Sequence, residues 1–239
     1  MMGSFKKLGT TLGLSVLLAT TVYADVAPDF MEKLESDARP LEDRERDGSR
    51  RPYQIMKLLG VNAGMTAVDV GAAAGWYTRV LSAAVGPTGK VIMQEGPRAM
   101  QQNNGQGPKD IAASLGNVEV SFEDLGNVGS NVADVAVTAL NLHHADDARG
   151  TAAMKDLFTV LKPGGVAAVI DHAASANTPA NTHRMMASTA RGWIEAAGLE
   201  IVTESDVLHT TADDHMMSSV APELGRDSDR FVFVVRKPR

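Results

Sequence analysis

From Thr66 onward the apolar positions fall into short runs separated by longer amphipathic stretches. The runs are rich in Val, Ile and Ala and lie at 67–70, 91–93, 118–122, 135–140 and 166–170. Most are apolar along their length rather than alternating, the pattern of strands covered on both faces in a parallel sheet. Between most of them lie stretches with helical spacing, at 76–84, 98–102, 111–115 and 151–161. Strand and helix in alternation predict an α/β fold with a Rossmann-like sheet of five parallel strands and helices on both faces. A further helix at 182–197 leads to a strand near 200–204 and a last one at 231–235, read as an antiparallel, hairpin-like closing element. No internal repeat or low-complexity tract interrupts this order.

Upstream the pattern weakens. Residues 26–36 read as a short helix with Pro28 in its first turn, and Pro52 opens another that Gly60 ends. Between them, 39–51 has no apolar periodicity and predicts an irregular, charged arm. Arg44, Arg46, Arg50 and Arg51 could clamp an anionic acceptor, but the interleaved signs favour pairing with Glu42, Asp43, Glu45 and Asp47. At the very start, Lys6 and Lys7 precede an uncharged stretch at 8–22 that ends in Val22-Tyr23-Ala24, the layout of a secretory signal peptide cleaved after Ala24. The chain thus divides into a leader at 1–24, a helix and Arg-rich arm at 25–51, and one domain at 52–239. Export to the periplasm follows from the leader. If uncleaved, it would instead anchor the chain to the inner membrane, although 8–22 falls short of the roughly 20 residues of a full span.

Composition changes this picture in two places. The 239 residues include no cysteine, which suits an oxidising compartment and excludes disulfides. The formal net charge is −6, and loss of two lysines with the leader makes it more negative. An acidic surface repels phosphate backbones, so nucleic acid is not an expected partner.

Candidate chemistry sits in the turns after the strands, where open parallel sheets bind ligands. The first turn, Asp69-Val70-Gly71-Ala72-Ala73-Ala74-Gly75, gives a backbone that passes close to a ligand with no large side chain in the way. Glu95 follows the second run, where a carboxylate can accept hydrogen bonds from both hydroxyls of a ribose. A dinucleotide fingerprint would need Gly at the first, third and sixth places; here they are Gly71, Ala73 and Trp76, which argues against NAD and an oxidoreductase.

These residues resemble the first motif of the class I S-adenosylmethionine (SAM)-dependent methyltransferases, an acidic residue, an apolar one, then Gly-x-Gly-x-Gly. Asp69, Gly71 and Gly75 match, and Ala73 stands in for the middle Gly. The resemblance implies SAM as cofactor, Glu95 on its ribose, and Asp124, in Phe122-Glu123-Asp124-Leu125, beside the adenine. Asn141-Leu142-His143-His144 after the fourth run and Leu161-Lys162-Pro163-Gly164-Gly165 before the fifth also fit the family. Tyr77 is an aromatic candidate beside the sulfonium. The exported leader, Arg50-Arg51-Pro52, Asp171-His172, Asp213-Asp214-His215 and Asp229-Arg230-Phe231 are similar to a group of predicted exported bacterial methyltransferases.

Methyl transfer from SAM asks the protein chiefly to align an acceptor and take its proton. His143, His144, Asp171 and His172 are the candidates for that work. Asp171, His172, His183, Asp213, Asp214 and His215 offer metal donors, but scattered and without a tight metal motif, so no metal is expected. The implied function is methylation of a small-molecule acceptor; a nucleoside-binding protein without turnover is the alternative. Oligomeric state is not legible.

Overall fold

The computed structural model describes residues 25–239. The leader at 1–24 lies outside the described residues. Among those described, no helix is long and apolar enough to cross a membrane.

Seven strands form one sheet: β1 (Thr66–Val70), β2 (Lys90–Gln94), β3 (Val118–Ser121), β4 (Ala133–Ala139), β5 (Leu161–His172), β6 (Glu200–Ser205) and β7 (Arg230–Arg236). Their order across the sheet is β3-β2-β1-β4-β5-β7-β6. The first five pair in parallel, as the apolar runs predict. Strand β7 is antiparallel to both β5 and β6, so β6 runs with the other five. The closing element is therefore the expected antiparallel pair, with β7 inserted between β5 and β6 and a long segment joining β6 to β7.

The chain reverses direction across the sheet between β1 and β4, which opens a crevice above their carboxyl ends. Adjacent residues of each strand face opposite layers. Val135 and Val137 of β4 pack beneath α4 (Pro52–Leu58) and α5 (Trp76–Val85), together with α1 (Phe30–Glu35). Two helices, α6 (Pro97–Gln101) and α7 (Gln106–Leu115), connect β2 to β3. Ala136 faces α8 (Asp147–Val160) and α9 (Ala187–Ala196). Strands buried on both faces need two helical layers, and the sequence supplies both. At the α8–α9 contact, Gly150 is required: a Cβ there would lie 2.3 Å from the Trp193 ring, whose Nε1 donates to Asp147 Oδ1 at 2.9 Å.

Three expectations about elements change. The charged arm is not irregular but contains two short helices, α2 (Leu41–Arg44) and α3 (Asp47–Arg50). Its charges do not pair as expected: Arg39 pairs with Asp47 within the arm, Arg44 with Asp37 just before it, and Asp43 with Arg79 of α5. The arm thus takes its shape from tertiary contacts, to which helical periodicity is blind. The helix expected from 182 starts only at Ala187, since Met185 N donates to His172 O and Ala174 N to Met185 O, tying that segment to the end of β5. Finally, β5 begins at Leu161, and the Pro163-Gly164-Gly165 turn lies inside it as a register shift between the Ala133 and Val135 pairings.

Candidate active site

The turn joining β1 to α5 holds three residues in the left-handed region, Gly71 (φ 61°), Ala73 (φ 51°) and Gly75 (φ 74°). Gly71 N donates to Gln94 Oε1 at 3.0 Å, Ala72 N donates to Gln94 O, and Gln94 Nε2 donates to Glu123 O at 2.9 Å. Buried Gln94 thereby clamps the turn to the loop after β3. Sequence reasoning missed it; a polar residue closing an otherwise apolar strand is the signal that could have found it. Asn141 packs on the other side of the turn, donating to Val70 O at 2.7 Å, and a Cβ on Gly71 would lie 2.9 Å from its Nδ2.

Ala73 bears strain where the motif elsewhere has glycine. An L-residue in that region costs on the order of 1–2 kcal/mol, partly offset by the lower freedom of Ala in the unfolded chain. Ala73→Gly is expected to leave cofactor binding intact and to raise the thermal midpoint by roughly 2 °C in differential scanning calorimetry. A lowered midpoint would mean that the Ala73 methyl packs usefully.

Glu95 follows β2 at the mouth of the crevice. It is half-buried, and its Oε1 is buried without a hydrogen-bond partner. Burial raises its pKa from the ordinary carboxylate range, a rise that a hydrogen bond from the Ala73 backbone opposes. An orphaned carboxylate oxygen beside a side-chain-poor turn fits a ribose, whose hydroxyls are donors. Asp124 is exposed on the same side, after β3. Asp69, in contrast, faces the interior: Thr78 Oγ1 donates to its Oδ2 at 2.6 Å, and burial pushes its pKa up to about 7. The Tyr77 ring is packed in the core edge-on to Trp76, and burial raises its hydroxyl to about 12.

The arm lies over this turn. Trp76 Nε1 donates to Asp43 O at 2.9 Å, and the Arg50 guanidinium stacks 4.9 Å from the Trp76 ring centroid. The bulky residue that disfavours a dinucleotide is thus the anchor for residues 39–51. Arg46 and Arg50 meet Arg226, Arg230 and Leu140, the residue after β4, around a cavity of about 300 Å³.

At the ends of β4 and β5 a polar cluster forms around Asp171, which is fully buried. Its carboxylate accepts from Leu142 N at 2.8 Å, His143 N at 3.1 Å and His172 N at 2.7 Å, and lies 2.7 Å from His143 Nδ1. That contact fixes the His143 ring and leaves Nε2 as the free nitrogen. His172 is buried with Nδ1 2.8 Å from Ser228 Oγ, and burial pushes its pKa down to about 4. It is therefore neutral at physiological pH and a weak base. Exposed His144 lies 4.2 Å from His143 between ring centroids, and His183 reaches both, at 5.0 Å and 5.7 Å. The neighbouring imidazole of His143 lowers the His144 pKa.

The scattered donors seen in the sequence do not assemble. Asp213 forms a fully buried ion pair with Arg184 at 2.8 Å, and His215 Nε2 lies 2.8 Å from Asp229 Oδ2, so both belong to the packing of the last loop. Of the histidines, His143, His144 and His183 have donor atoms within 4.8 Å of one another and could share a divalent cation.

Comparison with known proteins agrees with this geometry. Residues 68–169 match the family model of a methyltransferase domain. The demethylmenaquinone methyltransferase of Staphylococcus aureus is 32% identical over 126 residues, covering 49% of this chain and 47% of that protein. The chain thus spans about half the length of the curated relatives it matches. A SAM-dependent methyltransferase from Aquifex aeolicus superposes with a TM-score of 0.60 at 21% identity, over 88% of this chain and 98% of its own. A possible exported protein from Bordetella parapertussis gives 0.56 at 17% identity, over 82% and 68%. Residues 68–169 thus match a methyltransferase-domain model, within a fold shared with solved SAM-dependent methyltransferases.

Proposed function

We propose that this protein transfers a methyl group from SAM to a small-molecule acceptor, and that it does so as an exported, periplasmic protein. The observation that carries the reading is the unpartnered, buried Oε1 of Glu95 beside the turn of Gly71, Ala73 and Gly75. SAM, when bound, supplies a methyl group on a positively charged sulfur with a good leaving group already attached. The rest of the work falls to the chain. Glu95 takes the ribose hydroxyls, the turn lets the nucleoside approach the backbone, and Asp124 lies on the adenine side. Asp69, closed off by Thr78, acts by holding the turn onto α5 rather than by touching ligand.

The acceptor meets the cofactor above the ends of β4 and β5, beyond Asn141. Alkylation of a hydroxyl or amine there releases a proton, which His143 and His144 are placed to receive. Asp171 acts through His143 as a positioning residue. Buried His172 supports the loop through Ser228.

Export is supported by the leader alone, and it raises the question of where the cofactor is met; N-terminal sequencing of the native protein decides whether Ala24 is the cleavage point. Activity is tested by incubating the purified protein with SAM and a metabolite extract, and following S-adenosylhomocysteine release with His143→Asn as control. Release by the parent protein, reduced at least tenfold in the variant, is the expected result. Cofactor binding without release across the extract fractions would favour the reading of a nucleoside-binding protein without turnover.

A further inference from the structure

On a chain with 29 acidic and 23 basic side chains, four arginines converge where β4 ends. Arg46 and Arg50 come from the arm, Arg226 and Arg230 from the segment entering β7, and Leu140 lines the same cavity. Among the described residues none of the four has a carboxylate within ion-pair distance, although the other arm arginines Arg39 and Arg44 do. Three of them make other contacts. Arg50 stacks on Trp76, and Arg230 donates to Ser49 O at 2.8 Å and to Ser228 O at 3.1 Å. Arg226 reaches only the Glu42 carbonyl, at 3.5 Å.

Gathering four guanidinium groups, with Arg50 and Arg230 partly out of water and none in an ion pair, costs free energy that an oxyanion would return. Burial lowers the pKa of both Arg50 and Arg230, which reports the same desolvation. The cavity also adjoins the polar cluster: Ser219, on its wall, donates its hydroxyl to His183 O at 2.9 Å, and Leu140 is three residues before His143.

We propose that the methyl acceptor carries an anionic group, a carboxylate or phosphate, that seats among Arg46, Arg50, Arg226 and Arg230 while its reacting atom lies toward the ends of β4 and β5. This rests on the methyltransferase reading above. The same fork-shaped donors would also suit the carboxylate of the cofactor's own amino acid end, so the test separates the two sources.

Inorganic phosphate serves as the acceptor probe, titrated by NMR into the protein with and without saturating S-adenosylhomocysteine. Arg46→Met and Arg226→Met are used because both side chains sit on the cavity rim and neither supports the core. The expected result is that phosphate binds the S-adenosylhomocysteine-loaded protein, that the double variant weakens phosphate at least tenfold, and that affinity for S-adenosylhomocysteine stays within twofold. Phosphate binding that is unchanged in the double variant, or absent from the loaded wild-type protein, overturns the proposal. So does a loss of S-adenosylhomocysteine affinity in the double variant without a loss for 5′-methylthioadenosine, which lacks the carboxylate. If wild-type protein binds phosphate through these arginines but no S-adenosylhomocysteine, the anion site stands and the methyltransferase reading fails.

Discussion

Glu95→Ala is expected to weaken binding of SAM and S-adenosylhomocysteine about 100-fold while leaving the fold intact. Glu95 is half-buried at the end of β2, and one carboxylate oxygen receives no hydrogen bond from the protein. A hydrogen bond to a charged group contributes about 1.5–3 kcal/mol, and each 1.4 kcal/mol is a factor of ten. Two ribose hydroxyls on one carboxylate therefore correspond to at least two orders of magnitude. Removing an unsatisfied buried acceptor does not destabilise the empty protein, so thermal midpoints of variant and parent should agree without ligand. The pH dependence has a definite sign. Burial raises the Glu95 pKa, so the carboxylate takes up a proton at a higher pH than an exposed one, and affinity falls as the pH is lowered through that range. Isothermal calorimetry from pH 5 to 8 checks both statements. Equal affinity in parent and variant would place the ribose elsewhere.

Asp69→Asn should alter stability rather than affinity. In the folded protein Asp69 is buried in β1 and keeps its proton up to about pH 7, whereas in the unfolded chain its ordinary value is 3.8. A group with a raised folded pKa stabilises fully below the unfolded value and gives that stability up as the pH rises through the folded one. At 1.36 kcal/mol per pH unit, the loss between about pH 4 and 7 amounts to about 4 kcal/mol. The amide of the variant would stay neutral at every pH and still accept from Thr78 Oγ1. The variant should match the parent near pH 4 and exceed it in stability above pH 7, read from urea midpoints at both ends. Parallel pH profiles would show that Asp69 is not the titrating group.

Both predictions start from residues visible in the sequence, and the reason they were visible is local. The central parallel strands read directly, because burial on both faces leaves a nearly uninterrupted apolar run; the edge strand β3 alternates instead. Glu95 stood out as a candidate too, because the turn after such a run is where ligands meet an open sheet. The arm was not legible in this way. Asp43 is bonded to Arg79 and its carbonyl to Trp76, contacts 36 and 33 residues away in sequence that hold 39–51 against α5 with its arginines facing a cavity. The grouping of His183 with His143 and His144 was hidden for a similar reason. His183 itself has φ 53°, and the buried Arg184–Asp213 pair draws the next residue inward, so a segment with helical spacing leaves the helix and delivers His183 to the end of β4. Gln94 was overlooked because a single amide at a strand end has no periodicity to betray it.

The central claim is that the β1–α5 turn and Glu95 form a SAM site. Its most direct measurement is calorimetric titration of the purified protein with S-adenosylhomocysteine. One site per chain, lost in Glu95→Ala, is the predicted result. No binding heat at millimolar ligand, in protein shown to be folded, would contradict it.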